Sequence, residues 1–338
     1  MNRASLVNLI VLGRLASGWV CIVASCLLLA LTLFTYTLQP DHFAAFTLMP
    51  IWVWCIIGLC AAIVGRVLAF SGLAWVPAIL WIAIGLTASD ESRALIHFWK
   101  QAPQPGPAHP HDGRDVIRVI TANIDLQHAA ELKRWQPDVV LLQDARPHHV
   151  HRIAREIFGE NASFRTHETN GIITRWDIIA EHTTPGQRSH QTTIHIPEKK
   201  QTFKVVNVHL LSAATDLSLW RRGVWTEHRV NRAVRLDELE RAVAGLKSTT
   251  RFPDGPAILG GDFNAPPGDT VYRTIETHFK DAHPAAGRRP GNTYHRRFPV
   301  LRIDRIHATS HFTPVRATTD VAPNSDHRFV IVDFVFTP

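Results

Sequence analysis

Two polar side chains, Asp262 and Asn264, follow a short apolar run at a point where the backbone can approach a ligand closely. Residues 257–259 predict a buried strand, and Gly260 and Gly261 then interrupt it. Alternation along the chain places both polar side chains on the same side, and the two prolines that follow do not continue a central strand. The same residue types are common in ordinary turns. The functional interpretation therefore depends on what else the chain brings to this place.

The ends of other apolar runs carry side chains of similar kinds. Three stand where a run gives way to a loop, and the other three lie within a late run or just before the last one. They are Asn123, Asp144, His209, Asp304, Asp326 and His327. Sites built at strand ends combine residues that are distant in sequence, and carboxylate and amide oxygens suit Mg²⁺ or Mn²⁺ better than zinc. All four cysteines precede residue 61, so the rest of the chain has neither a disulfide nor a cysteine nucleophile.

The elements that position these side chains alternate between strands and helices from residue 115 onwards. Apolar and β-branched runs predict strands at residues 116–122, 138–143, 171–174, 178–180, 191–196, 203–208, 257–259, 300–306 and 329–336. Helical spacing occurs at residues 127–135 and, most clearly, at 229–246. The predicted apolar face of the second helix consists of Val230, Ala233, Val234, Leu236, Leu239, Val243 and Leu246. This order of elements predicts an α/β domain over residues 115–338.

The chain up to residue 100 has a different composition and predicts a membrane region. It is almost free of charge up to residue 88, with apolar runs at 19–38, 49–65 and 67–88, which predict about three transmembrane helices. A cleaved signal peptide is the alternative for the first run, but two further runs follow it. By a margin of one basic residue, the positive-inside rule places the amino terminus in the cytoplasm and the large domain outside. The Pro-rich segment 101–114 predicts a semi-rigid linker.

Residues 116–338 resemble the endonuclease/exonuclease/phosphatase superfamily, whose fold is shared by DNase I, abasic-site exonucleases, sphingomyelinases and inositol-polyphosphate phosphatases. The matching motifs in chain order are Thr121-Ala122-Asn123, the segment 137–144 (PDVVLLQD), Asn207-Val208-His209-Leu210, Gly261-Asp262-Phe263-Asn264, Arg302-Ile303-Asp304 and Ser325-Asp326-His327. The resemblance implies a DNase I-like, two-sheet α-β-β-α sandwich, preceded here by the α-helical transmembrane region. The layout is similar to bacterial membrane-anchored members, which implies a multi-pass protein of the inner or plasma membrane.

The resemblance also implies a hydrolase of phosphoester bonds that depends on Mg²⁺, with Mn²⁺ as a possible replacement. Asn123 and Asp144 match the metal site of the family, and Asp326 belongs to the same group of ligands. The family usually has Glu where this chain has Asp144, which is one methylene shorter. Because Mg²⁺ tolerates little geometric error, this difference puts the metal affinity or preference in question.

The catalytic roles implied by the resemblance fall on residues at the ends of the late strands. Asp262 orients or deprotonates the attacking water, and Asn264 donates to a phosphoryl oxygen. His327, oriented by Asp304, contacts the phosphate or acts as an acid or base. His209 is a second histidine that faces the phosphate. Either His327 or Asp262 can serve as the base.

Three further residues are candidates for substrate contacts, namely Asn170, Arg305 and Arg328. The two arginines stand where the family often has an aromatic and a small or apolar residue, and they either favour an anionic substrate or are simply solvated. Asn170 precedes a predicted strand, where a turn is the more common use of an asparagine. A basic and aromatic cluster before the long helix has three readings: binding of phosphate backbones or bases, contact with the bilayer interface, or an ordinary helix with a charged outer face. It consists of Trp220, Arg221, Arg222, Trp225, His228 and Arg229.

The formal net charge of +7 favours an anionic partner. A nuclease would explain the positive charge, and a lipid phosphodiesterase or phosphatase would explain the membrane region. A protein of another class, which binds phosphorylated ligands without catalysis, is the alternative to an enzyme. The set of polar residues at the strand ends favours the enzyme, with an anionic phosphoester of nucleic acid or of a lipid headgroup as substrate. No protein partner can be inferred.

Overall fold

The computed structural model describes residues 3–92, 116–124, 129–183, 186–213, 218–246 and 255–337, and the predicted linker at 101–114 lies outside them. The helical region consists of α1 (Arg3–Leu38), α2 (Ala44–Thr47), α3 (Ile51–Ala69) and α4 (Trp75–Ala88). The strands of the α/β domain are β1 (Val116–Asn123), β2 (Val139–Gln143), β3 (Ser163–His167), β4 (Asn170–Thr174), β5 (Asp177–Thr183), β6 (His190–Ile196), β7 (Gln201–His209), β8 (Ala257–Asp262), β9 (Lys280–Asp281), β10 (Asp304–Ala308), β11 (Phe312–Val321) and β12 (Arg328–Phe336). Its helices are α5 (Ala129–Lys133), α6 (Pro147–Phe158), α7 (Arg222–Ala244), α8 (Arg273–Glu276) and α9 (Ala282–Ala286).

The third predicted span is divided in the structure. Its first residues complete α3, the chain turns at Phe70, whose φ of 52° is left-handed, and α4 follows. In the part of the chain that the structure describes, α1 and α3 contain segments long and apolar enough to cross a membrane, whereas Gly72–Ala88 is a shorter apolar stretch. A helix of 14 residues such as α4 is about 21 Å long, less than the roughly 30 Å of a hydrocarbon core. The described residues therefore contain two helices of spanning length and a shorter third, and the number of membrane spans stays a prediction.

Two six-stranded sheets form the α/β domain. Their strand orders are β11-β12-β1-β2-β4-β3 and β5-β6-β7-β8-β10-β9. β1 pairs with β2 in parallel, and β7 pairs with β8 in parallel. In each sheet, therefore, two neighbouring strands end at the same edge. The last strands, β10 and β12, run antiparallel to β8 and β1 and begin where those strands end.

The apolar core lies between the two sheets and under the outer helices. Ile117 and Leu141 of the first sheet and Phe203 and Ile258 of the second belong to one continuous buried cluster. A second cluster joins α5 and α6 to the outer face of the first sheet, and a third joins α7 to the outer face of the second. This order of layers confirms the predicted α-β-β-α sandwich.

Most predicted strands are present, with longer bounds than the apolar runs that indicated them. The main differences concern strands with irregular burial. β11 was not predicted because exposed and buried residues follow no clear alternation along it, and the edge strand β3 is only half-buried. The strand predicted at 300–306 begins only at Asp304. Helix α6, also not predicted, carries a buried face that includes Val150 and Ile153.

The burial of α7 differs from the prediction. Val230 and Val234, which belong to the predicted apolar face, are 50% and 37% exposed, while Arg232 and Arg235 are buried. The guanidinium of Arg235 lies 2.6 Å from the carboxylate of Asp269. A buried charge is tolerated where it is paired, and hydrophobic periodicity does not show which arginines have such partners. The later apolar residues of the helix are buried as predicted.

Three buried histidines give the domain a predictable response to acid. Burial lowers the pKa of His190 from 6.5 to about 3, and the pKa values of His283 and His307 from 6.5 to about 4. The unfolded chain then binds these protons more readily than the folded one. The contribution of these neutral histidines to the free energy of unfolding is therefore complete above pH 6.5, and it is lost as the pH falls towards 4. Each unit of pKa shift corresponds to roughly 1 kcal/mol.

We expect the Tm of the full chain in detergent to fall over this pH interval. His307→Phe removes one titrating group, whose ring nitrogens have no hydrogen-bond partner among the described residues, and is expected to make the fall shallower. Thermal melts of both proteins at a series of pH values would test this. The same slope in both would contradict the role given to His307.

Candidate active site

Both sheets bring polar strand ends to one edge of the sandwich. Asp304, the first residue of β10, is paired with Asp262, the last residue of β8. β7 ends beside it at His209, which is also in register with Asp262. In the other sheet, β1 ends at Asn123 and β12 begins immediately after His327. The site is therefore assembled from residues of four strands and of the loops that adjoin these and neighbouring strands.

Gly261 allows β7 and β8 to approach each other just before Asp262. Its φ is 142°, a conformation that favours glycine. A Cβ atom at this position would lie 2.0 Å from the carbonyl oxygen of Val208 on β7. The close approach of the two strands thus places His209 and Asp262 side by side.

We expect Gly261→Ala to destabilise the domain on the order of 3 kcal/mol, because both the backbone conformation and the contact with Val208 become unfavourable. Activity should fall with it. Gly255→Ala is the matched control, since Gly255 also has a positive φ of 88° but has no atom within 4 Å of the added carbon. Thermal melts should show a much larger loss for Gly261→Ala. Equal losses would mean that backbone strain alone, and not the contact between strands, requires the glycine.

The buried carboxylate of Asp262 accepts hydrogen bonds from two asparagines. Asn123 Nδ2 donates to Oδ2 at 2.9 Å, and the backbone N–H of Asn264 donates to Oδ1 at 2.9 Å. Burial, with a further contribution from the negative charge of Asp304, raises the pKa of Asp262 to about 7. A carboxylate with such a pKa can accept a proton near neutral pH.

Asn264 is engaged within the protein. Its side-chain nitrogen donates to the carbonyl oxygen of Leu210 at 2.9 Å and to Asp262 Oδ2 at 3.2 Å. Since an amide nitrogen has two hydrogens, both are used by these contacts. The expected donation from Asn264 to a phosphoryl oxygen is therefore not compatible with this conformation, in which Asn264 orients Asp262.

His327 and Asp304 form a buried pair. The Nδ1 atom of His327 lies 2.8 Å from Asp304 Oδ2, so Nδ1 carries a hydrogen and donates it to the carboxylate. Burial on its own would lower the pKa of His327, but the charge of Asp304 and this hydrogen bond outweigh it and raise the pKa to about 10. His327 is therefore a cation at neutral pH. Its Nε2 lies 3.9 Å from Asp326 Oδ1.

His209 lies between two carboxylates. Its Nδ1 is 3.5 Å from Asp144 Oδ1, and its Nε2 is 3.9 Å from Asp262 Oδ2. Burial nevertheless lowers its pKa. The side chain of Asp144 itself is 55% exposed, and its backbone has a φ of 56°. The left-handed turn at Asp144 directs the chain out of β2 and into α6.

Three hydrogen bonds that the sequence did not suggest hold the sheets together under the site. Gln143 Nε2 donates to Asn207 Oδ1 at 2.6 Å, and Asn207 Nδ2 donates to the carbonyl oxygens of Leu142 and Gly171 at 2.9 Å. Asn207 is fully buried. Its position among the valines of β7 was a signal for such a role, because an amide within an apolar run needs buried partners.

A cavity of about 250 Å³ lies over the strand ends. Seven of the predicted site residues line it, namely Asn123, Asp144, His209, Asp262, Asn264, Asp326 and His327. Other lining residues were not predicted, and they include Tyr294, Ile303 and, from the helical region, Leu48. The ring of Tyr294 lies 5.2 Å from that of His327. Asp304 supports the cavity from beneath through His327.

The three predicted substrate contacts do not lie in the wall of this cavity. Arg305 is next to Asp304 on β10 and therefore faces the other side of the sheet, where it lies 3.8 Å from the centre of the Tyr272 ring and bonds Asp281 at 3.1 Å. Arg328 donates to a backbone carbonyl at 2.9 Å. Asn170 is fully buried. None of the three lines the cavity in this structure, and their contact with a substrate stays a prediction.

Comparison with known proteins agrees with the fold. The model of the endonuclease/exonuclease/phosphatase family matches residues 120–327, and the chain belongs to that family. The family includes enzymes that hydrolyse phosphoester bonds.

Solved structures share the fold at low sequence identity. An endonuclease/exonuclease/phosphatase from Bacteroides vulgatus is 14% identical with a TM-score of 0.51, over 66% of this chain and 100% of that chain. A functionally unknown conserved protein from Enterococcus faecalis is 15% identical with a TM-score of 0.50, over 65% of this chain and 100% of that one. Both matches have the size of the α/β domain. Comparison with curated proteins gave no match.

Proposed function

We propose that this chain is a membrane-anchored, divalent-metal-dependent phosphoesterase that hydrolyses phosphodiester or phosphomonoester bonds. The observation that carries the proposal is the convergence of Asp262, Asp304 and His327, whose ligand atoms lie within 4.8 Å of one another at the cavity. A cationic imidazole beside a carboxylate of raised pKa is suited to binding an anionic group and accepting a proton next to it.

The residues at the cavity fit a divalent cation. Asn123, Asp144 and Asp326 offer oxygen ligands, and the side chains of the two aspartates are more than half exposed, at 55% and 58%. Burial, with a further contribution from the charge of Asp304, raises the pKa of Asp262, and a nearby cation would offset both effects. Asn123, Asp144 and Asp326 would hold Mg²⁺ or Mn²⁺, and the metal would neutralise charge at the phosphate.

Asp262 would then act as the base. Its carboxylate is held by the two asparagine donors described above, so its orientation is fixed before substrate binds. A water molecule next to it would lose a proton to the carboxylate as the oxygen attacks phosphorus. His209, whose pKa is lowered by burial, is suited to contact the phosphate as a neutral hydrogen-bond partner.

His327 would bind the phosphate and stabilise the charge that develops in the transition state. Its Nδ1 is occupied by Asp304, which leaves Nε2 for a phosphoryl or leaving-group oxygen. Because the imidazolium carries a full positive charge, it would also be able to protonate the leaving oxygen. Asp304 acts through His327 and is a positioning residue.

Residues 1–100 would anchor the enzyme as a multi-pass region of the inner or plasma membrane, with the α/β domain outside the cytoplasm. The length and apolar composition of α1 and α3 support this part of the proposal. So does the exposure of their large apolar side chains, of which Leu9, Val20 and Leu27 are more than 60% exposed. Such surfaces are unfavourable in water and favourable in lipid.

The full chain in detergent should hydrolyse bis(p-nitrophenyl) phosphate or p-nitrophenyl phosphate when Mg²⁺ or Mn²⁺ is present, and should lose this activity with a chelator. Restoration by added metal would support the proposal. A folded chain that binds phosphate esters but turns over neither compound with either metal would contradict it and would favour a binding protein.

A further inference from the structure

The loop between α1 and α3 forms part of the wall of the active-site cavity. Leu48 lines the cavity together with Asp262 and His327, and only 3% of its surface is exposed. It lies between the end of α2 and the start of α3 at Ile51. A residue of the helical region is thus in direct contact with the space where the substrate phosphate would bind.

Contacts on one side of this loop fix it to the α/β domain. Arg232 of α7 donates to the hydroxyl of Thr47 and, at 3.3 Å, to the carbonyl oxygen of Gln39. A Cβ atom added to Gly268 would lie 3.1 Å from the ring of Tyr36, at the end of α1. The domain therefore packs directly on the ends of the apolar helices.

A second set of contacts fixes the chain after α4. The guanidinium of Arg302 lies 2.7 Å from Asp90 and also bonds Asp281. Asn292 Nδ2 donates to Glu91 Oε1 at 3.0 Å. Arg302 is almost completely buried. Its ion pair with Asp90 therefore differs from exposed ion pairs, which contribute little to stability. Two separate attachments therefore define how the cavity is oriented relative to the helices.

This orientation places the cavity at the level of the lipid headgroups. If α1 and α3 cross the bilayer, their domain-facing ends, at Leu38 and Ile51, mark its surface. Leu48 is three residues from the start of α3, a span of at most about 10 Å. Since headgroups occupy a layer of roughly 5–7 Å on each side of the hydrocarbon core, the cavity wall and the headgroups share the same depth.

The surface beside the loop has the composition of a membrane interface. Trp220 is 84% exposed, and Arg221 and Arg222, which follow it, are exposed as well. The ring of Trp225 in the same segment packs edge-on against Phe43 of the loop at 6.0 Å. Tryptophan and arginine are enriched where proteins meet headgroups. This contact joins the cluster predicted from sequence to the loop that lines the cavity.

From these contacts we infer that the substrate is a phosphoester in the headgroup of a membrane lipid, which reaches the cavity from the bilayer surface past Leu48. The inference rests on the proposed phosphoesterase function and names its substrate class. A long polymer such as nucleic acid would have to enter the space between the domain and the bilayer to reach this cavity. A lipid headgroup is already there.

Three substrates with the same leaving group test the inference in the full chain reconstituted in phosphatidylcholine nanodiscs with Mg²⁺. They are hexadecyl, ethyl and thymidine 5′-p-nitrophenyl phosphate. In each, water adds to phosphorus and the bond to nitrophenolate breaks, giving nitrophenolate, the alkyl or thymidine monoester and a proton. The three compounds differ only in the group that stays on phosphorus. Comparison of their turnover therefore shows whether this group reaches the cavity better from the bilayer or from solution.

The hexadecyl ester should be hydrolysed with a kcat/KM at least about tenfold above that of the ethyl ester, because its chain resides in the bilayer next to the cavity. If the cavity faced away from the bilayer, insertion of the hexadecyl chain into the bilayer would keep this ester away from the cavity and lower its turnover. A preference for the ethyl ester would therefore overturn the inference, and a preference for the thymidine ester would favour nucleic acid. Turnover of none of the three and none of p-nitrophenyl phosphate would instead contradict the proposed phosphoesterase function. Turnover of p-nitrophenyl phosphate alone would overturn the inference, since no headgroup diester would then be hydrolysed.

Leu48→Ser tests the path of the lipid. It should lower the ratio of hexadecyl to ethyl ester turnover at least about fivefold, since it removes apolar contact from the entrance. Leu73→Ser is the matched control, because Leu73 lies between α3 and α4, at the other end of α3 from the loop, and is 62% exposed. An unchanged ratio in Leu48→Ser, or an equal fall in both variants, would show that Leu48 is not on the path.

Discussion

Asp262→Asn is expected to lower kcat by about 10³-fold, within the usual range for a lost general base, and at the same time to make the protein more stable. The amide has nearly the shape of the carboxylate, and its oxygen can still accept from the side chains of Asn123 and Asn264. Its NH2 group replaces the oxygen that accepts from the backbone N–H of Asn264, which costs one hydrogen bond, about 1–3 kcal/mol. It cannot accept a proton from water. Turnover of an aryl phosphodiester by the full chain would measure the loss.

The gain in stability follows from the electrostatics of the site. Burial and the charge of Asp304 raise the pKa of Asp262 to about 7, which means that the ionised form is unfavourable in the folded protein. A neutral side chain removes that cost. The Tm should rise by a few degrees when measured with chelator, so that bound metal does not contribute.

Asp333→Asn is the control for Asp262→Asn, because the chemical change is the same while the expected effects on stability and activity are reversed. Asp333 is fully buried on β12, away from the cavity, and accepts from Arg118 at 2.6 and 3.0 Å. Loss of its charge leaves a buried arginine without its ionic partner, which typically costs about 3–5 kcal/mol. The Tm of the Asp333→Asn chain should therefore fall, while its turnover per folded molecule stays close to that of the unmodified chain. In contrast, retained activity in the Asp262→Asn chain would show that Asp262 is not the base.

The sequence predicted the site residues better than the faces of the elements that carry them. Asn123, His209 and Asp262 were recognisable because each ends an apolar run, and parallel pairing of neighbouring strands brings such ends to one edge. His327 followed the same logic in the opposite direction, since β12 runs antiparallel and begins there. Asp304 was predicted to lie within a strand, whereas β10 begins at this residue.

What the sequence did not predict depends on partners far away in the chain. The face of α7 was misassigned because Arg232 and Arg235 are buried against partners in the helical region and at Asp269, and no local pattern shows this. Leu48 was not recognised as a wall of the cavity because it lies within an apolar segment more than two hundred residues before Asp262. Arg305 was misplaced for a simpler reason, since alternation along β10 turns it away once Asp304 faces inward.

His327→Gln is expected to lower kcat/KM by about 10³-fold, because it removes the cation that would bind the phosphate and stabilise its charge in the transition state. Glutamine can still form one hydrogen bond to Asp304, which keeps the local packing. The fall should be similar for all substrates with the same phosphate, since the contact is with the phosphoryl group. His307→Phe on β10 is the control for loss of a buried histidine and should retain activity.

Asp304→Asn distinguishes a positioning residue from an independent catalytic group. In the unmodified chain it should reduce kcat/KM by about tenfold to a hundredfold, because the imidazole loses the carboxylate that orients it and keeps it charged. In the His327→Gln chain the same substitution should have little further effect, since residues that act as a unit are not additive. If the two losses multiplied in the double variant, Asp304 would act on the substrate by a route other than His327. Asp304 Oδ1 is buried and has no hydrogen-bond partner among the described residues. Because a buried carboxylate oxygen needs a partner, a bound cation or a proton at Oδ1 would then be the next contact to examine.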